Sequence, residues 1–214
     1  MDLQVLKTVF LFGLIVLGIS HAGCADKKVE VPYYHTPDFS PIWYSNGKDT
    51  LHKIAGFSFV NQDGEIVSDK SLSGKIWVSN FFFTKCPKVC PAMTKNLKQV
   101  ADAFKGNSGI VILSHSVTPE IDSVAKLREY AGHNGIDGKQ WQFLTGDKTA
   151  IYTLARRSYF AEEEIGLNAD STEFLHTEHV LLVDKERHLR GIYNGTIQLE
   201  MERLKEDVSK LLNE

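Results

Sequence analysis

The sequence predicts an α/β sandwich in which helices flank a mixed central sheet, and three observations lead there. Two near-continuous apolar runs, at 75–83 and 110–117, suit strands buried on both faces. Each is followed by a segment whose apolar residues recur at helical spacing. The C-terminal part then adds a hairpin and one more amphipathic helix, so parallel and antiparallel neighbours must share one sheet.

The first segment is not part of that fold. Residues 1–7 are a short polar start ending in Lys7, and residues 8–20 (TVFLFGLIVLGIS) are almost wholly apolar. The run is shorter than the roughly 20 residues a helix needs to cross a bilayer. It has the length of a signal-peptide core and ends in Ala22 and Gly23, directly before Cys24. The pattern resembles a bacterial lipoprotein signal, with 1–23 removed and Cys24 lipidated. His21 stands where such signals usually carry Leu, which leaves a simple cleaved signal or an uncleaved anchor as the alternative. The expectation is an exported protein of the bacterial cell envelope, held to a membrane through Cys24 and facing the periplasm. Residues 24–53 are polar, carry Pro32, Pro37 and Pro41, and read as a tether and arm. The aromatics of that arm, Tyr33, Tyr34, Trp43 and Tyr44, are expected to pack on the surface of the domain at 54–214.

Within the domain, 57–60 and 65–67 flank Asp63 and Gly64, a hairpin signal. Strand 75–83 precedes a helix marked by Met93, Leu97, Val100 and Phe104, with Gly106 placed to end it. Strand 110–117 precedes a helix over 123–131 with Val124, Leu127 and Tyr130 on its apolar side. A short strand at 141–144 follows, and Asp147 caps a helix running to about residue 156. Residues 179–184 and 189–193 make the second hairpin. The last helix, 199–212, carries Met201, Leu204, Val208 and Leu211 on one face. The chain of 214 residues, 43% apolar and 24% charged, is long enough for one well-buried core. Its formal charge of -3 gives no basic footprint, which argues against nucleic acid as a partner.

The chemistry concentrates at FFFTKCPKVCP, 81–91, where a buried strand delivers Cys86 and Cys90 to a turn into the next helix. Cys90 falls in or beside the first helical turn, where free N–H groups favour thiolate. Such a pair closes a disulfide or grips a soft metal, and two thiolates alone are an incomplete site for most metals. Of the eight histidines, His115 lies on the second buried strand, His133 and His188 in polar turns, and His35 and His52 in the arm region. In a thioredoxin-like sheet, the loop entering the strand at 180–183 faces the Cys turn. His176 is therefore the candidate third ligand, with His179 as the alternative. Met93 is close in sequence to the pair, but its spacing puts it on the core face.

The segment FTKCPKVCP at 83–91 resembles the motif of the Sco/SenC family, thioredoxin-like copper chaperones for cytochrome c oxidase. Three further stretches match in order: SVTPEID at 116–122, WQFLTG at 141–146 and HTEHVLLVD at 176–184. The resemblance implies a thioredoxin-like fold with an N-terminal hairpin and arm, and copper held by Cys86, Cys90 and His176. It also implies a copper-accepting oxidase subunit and a thiol reductant as partners. Thr118 stands where many members have Asp, and Leu175 where Asp is frequent before the histidine. Two thiolates and one imidazole suit Cu(I), with Cu(II) requiring a further oxygen or water ligand, whereas structural zinc normally takes four protein ligands.

The expected function is a copper metallochaperone serving the binuclear copper site of a terminal oxidase, switched by oxidation of its Cys pair. The alternative is a membrane-anchored thiol-disulfide oxidoreductase acting on exported cysteine-containing proteins. Against it stand the three-residue spacing and the absence of proline between Thr172 and Val180. A peroxide-reducing enzyme would need an arginine beside the thiolate, for which Lys85 and Lys88 are only approximate substitutes.

Overall fold

The computed structural model describes residues 30–43, 50–136, 138–162 and 174–214. The expected signal segment, Cys24 and Tyr44 lie outside them. The first hairpin pairs β1 (Ser58–Asn61) with β2 (Ile66–Ser68), and Gly64 supplies the left-handed residue of the turn at φ +84°. Strand β3 (Ile76–Phe82) leads through the cysteine turn into α1 (Val89–Ala103), and β4 (Ile110–Ser116) into α2 (Val124–His133). Ser123 caps α2 by accepting from Lys126 N–H at 3.3 Å. After β5 (Trp141–Thr145), Asp147 caps α3 (Lys148–Thr153), accepting from Ala150 N–H at 2.7 Å.

Helix α3 departs from the sequence expectation. It does not run on regularly to residue 156 but widens into a π turn over Leu154–Ser158. Partners from outside the helix compete for its end. The Ser158 carbonyl lies 2.7 Å from His52 Nε2, and the Ser158 hydroxyl accepts from Ala55 N–H at 2.6 Å. The chain closes with β6 (His179–Val183), β7 (Leu189–Asn194) and α4 (Gln198–Leu212).

The seven strands form one sheet in the order β2-β1-β5-β4-β3-β6-β7. Strand β4 is parallel to both β3 and β5, while the hairpins at the two edges pair antiparallel. Every residue of β3 is buried because its side chains enter two cores. Ile76, Val78 and Phe82 face one core with Met93 and Leu97 of α1 and Met201 and Leu204 of α4. Trp77 and Phe81 face the other with Ile151, Leu154 and Tyr159. Burial on both faces explains why β3 and β4 read as apolar runs rather than alternating patterns. Polar side chains of β3 find partners inside the core: the Ser79 hydroxyl and Trp77 Nε1–H bond to the Tyr159 hydroxyl at 3.0 and 2.9 Å.

The arm is laid on β7. Tyr34 bridges to Leu189, and Val31 and Tyr33 are buried. Arg190, itself buried, fixes this contact. Its guanidinium sits 3.9 Å from the Tyr33 ring centroid, donates to the carbonyls of Val31 and Pro32, and pairs with Asp184 and Glu214. Trp43 departs from the expected surface packing and stands exposed. His188 lies in the turn between β6 and β7, as expected, but its side chain is buried edge-on against Tyr33, with Nδ1 3.1 Å from the His52 carbonyl. Among the described residues no helix is long and apolar enough to cross a membrane.

Candidate metal centre

The cysteine turn begins where β3 ends, and a buried carboxylate fixes its first residue. Asp122 accepts from Thr84 N–H at 3.2 Å and Thr84 Oγ1–H at 2.6 Å, and also from Ser116 Oγ–H at 2.6 Å and Thr118 Oγ1–H at 3.1 Å. Four donors around one buried carboxylate join the end of β3 to the end of β4. Sequence reading missed this role of Asp122, although the stretch at 116–122 was singled out.

Helix α1 then starts at Val89 with Lys88 as its cap residue, and no side-chain oxygen caps it. The Cys86 sulfur takes that place, accepting from Cys90 N–H at 3.3 Å. Burial raises the Cys86 thiol, but hydrogen bonds from the Cys90 thiol and from the N–H groups of Cys90, Lys88 and Val89 outweigh it, and the net shift is downward. Cys90 behaves in the opposite way. Burial, then its proton-sharing bond to Cys86, push it up to about 12. The sequence expectation that the first helical turn favours a Cys90 thiolate is thus corrected. Its sulfur is the deeper of the two, while the N–H groups point at Cys86. The described cysteines are both free thiols.

His176 comes from the other side of β3. Strand β6 runs antiparallel to β3 with Asn80 opposite Val180, so the loop entering β6 lies beside the turn that leaves β3. The rings of Phe83 and Phe174 meet edge to face at 5.3 Å between these two segments. The His176 side chain is exposed, whereas Leu175 before it is buried. His179, the alternative ligand, is engaged elsewhere: Nδ1 is 3.1 Å from the Ala161 carbonyl and its ring abuts Phe39. Met93 is wholly buried in the core, as its spacing predicts. The fold therefore brings Cys86 and Cys90 together and puts His176 on the neighbouring loop. Among the described residues, no three His, Cys, Asp or Glu side chains yet converge to hold a metal ion.

Comparison with known proteins decides the family, because the SCO1/SenC family matches residues 46–213. The chain belongs to the SCO1/SenC family. Among solved SCO1/SenC structures, BsSco, described as a cytochrome c oxidase assembly protein with a disulfide switch, is 29% identical with a TM-score of 0.65, over 76% of this chain and 94% of its own. A SCO1/SenC lipoprotein from Bacillus anthracis is 27% identical with a TM-score of 0.65, over 75% of this chain and 95% of its own. ScoI from Arabidopsis thaliana, solved with copper bound, is 28% identical with a TM-score of 0.58, over 74% of this chain and 97% of its own. The SCO1/SenC fold is thioredoxin-like, and the mixed seven-stranded sheet agrees with it.

Proposed function

We propose that this protein is a copper metallochaperone that carries Cu(I) on Cys86, Cys90 and His176 to the binuclear copper site of a terminal cytochrome c oxidase. The observation that carries the reading is the cysteine turn at the start of α1, where Cys86 Sγ accepts from Cys90 N–H. The two sulfurs are already neighbours, so copper has to draw in only the exposed His176 imidazole. Two thiolates and an imidazole are a soft set matched to Cu(I), and a Cu(II) state would recruit an oxygen ligand or water. The copper-bound relative and the oxidase-assembly relative support the same reading.

Transfer would proceed by ligand exchange with an oxidase subunit, one donor at a time. Loss of two electrons and two protons would convert the pair to a disulfide and withdraw both sulfurs, so an exported protein needs a thiol reductant as a partner. Lipidation at Cys24, after removal of 1–23, would hold the 54–214 domain at the membrane through the 24–53 tether, on the periplasmic side. The Bacillus anthracis lipoprotein supports this placement.

One observation favours a second reading, thiol-disulfide exchange. A lowered Cys86 beside a raised Cys90 is the asymmetry of an attacking thiolate and a resolving thiol. Cys86 would attack a substrate disulfide and form a mixed disulfide. Cys90 would then displace the reduced substrate, leaving Cys86 and Cys90 joined.

The test is anaerobic Cu(I) titration of the reduced protein beside Cys86→Ser, Cys90→Ser and His176→Ala. One tight equivalent, weakened by each substitution, is expected. Undiminished binding by His176→Ala would remove it from the ligand set. Absence of tight copper in the parent would leave thiol exchange as the function to pursue.

A further inference from the structure

Glu162 opens a run of three glutamates, 162–164. Its side chain is only 12% exposed, and both of its oxygens are engaged. One oxygen accepts from Arg156 Nε–H at 2.5 Å, and the other from the main-chain N–H of His176 at 3.1 Å. Arg156 is only 3% exposed, and its guanidinium lies 5.1 Å from the Tyr152 ring centroid. The Tyr152 hydroxyl donates to the Val117 carbonyl at 3.0 Å and accepts from Leu175 N–H at 3.5 Å. Two consecutive N–H groups of the loop entering β6 are thus held by side chains from α3 and the segment that follows it. The same network reaches Val117, at the end of β4. The His176 backbone is tied down while its side chain remains exposed.

We infer that Glu162, oriented by Arg156, is a positioning residue that presents the His176 imidazole to copper. The inference rests on the reading of His176 as third ligand. A ligand on an unanchored loop loses its conformational freedom when metal binds, whereas this loop loses it on folding. The Glu162 carboxylate supplies a charge-assisted acceptor for His176 N–H. Arg156 neutralises that carboxylate and fixes its plane. Neither residue contacts the metal.

The test uses the full chain in detergent. Cu(I) affinity is measured by competition with a chromophoric Cu(I) chelator for the parent, Glu162→Ala, His176→Ala and the double variant. Returning the ordering of the His176 loop to the metal-binding step should weaken binding by about tenfold in Glu162→Ala. The double variant should bind like His176→Ala, since without the imidazole there is nothing to position. A merely structural role would weaken both backgrounds alike, and that result overturns the inference. So does parental affinity in Glu162→Ala when His176→Ala is weakened. Hydrogen exchange of peptide 174–179 in the copper-free protein gives a second readout, expected to be faster in Glu162→Ala. If His176→Ala binds like the parent, the third-ligand reading fails, and the positioning inference fails with it. Unchanged exchange in Glu162→Ala would then show in addition that Glu162 does not anchor the loop. Should loss of the Arg156–Glu162 pair unfold Glu162→Ala, Arg156→Met/Glu162→Leu removes both charges and is measured in its place.

Discussion

Replacing His115 by phenylalanine should make the protein markedly less sensitive to acid. His115 is wholly buried in β4, its ring 5.2–5.9 Å from those of Phe57, Phe59, Phe81 and Tyr159. Among the described residues neither of its ring nitrogens has a hydrogen-bond partner. The titratable member of this ring set, Tyr159, is itself pushed up to about 12 by burial, so it stays neutral and cannot stabilise an imidazolium. Burial drives His115 down from 6.5 to about 3. Between those values the unfolded chain binds a proton that the folded chain refuses. Stability therefore falls as pH drops through this window, by about 1.4 kcal/mol per pH unit. From pH 6.5 to 4.5 the parent should lose about 2.3 kcal/mol that His115→Phe keeps, the slope reaching its full value only once the unfolded imidazole is mostly protonated. Carboxylates titrate in both proteins and cancel in the difference. Phenylalanine is larger, and any overpacking cost shifts the whole stability curve without changing its slope. Urea unfolding of the reduced proteins at several pH values between 4.5 and 7, followed by tryptophan fluorescence, measures the effect. Parallel stability curves for parent and variant would refute the reasoning.

The two cysteines should differ in reactivity: iodoacetamide at neutral pH should label Cys86 well before Cys90 in the reduced, metal-free protein, as read by peptide mass spectrometry. Equal rates, or Cys90 first, would contradict the opposite shifts of the two thiols. Thr118→Asp would set a second carboxylate against buried Asp122, which accepts the Thr118 hydroxyl at 3.1 Å. A loss of about 1–3 kcal/mol is expected at pH 7, and an unchanged urea midpoint would count against it.

What the sequence made legible was whatever carries a local period or a local spacing. Strand β3 and helix α1 are read from their apolar patterns because burial on both faces, or on one helical face, is imposed on consecutive residues. Cys86 and Cys90 are legible for the same reason, since their spacing sets them on one turn. Which of them is the better thiolate was not legible, because the answer weighs depth in the core against the direction of three N–H groups. Asp122 and Glu162 were hidden for a related reason. The donors to Asp122 come from Thr84 and Thr118 as well as Ser116, and they meet only because β3 and β4 run parallel with Phe82 beside Ser116. Glu162 meets Arg156 beyond a π turn that no periodicity announces. The donor atoms of the site therefore sit on recognisable motifs, while the residues that fix their positions lie on the β4–α2 and α3–β6 connections. Substitutions there should alter copper affinity without touching a ligand. Thr118 belongs to this second group: its hydroxyl donates to Asp122, and Asp122 in turn holds the residue from which the cysteine turn begins.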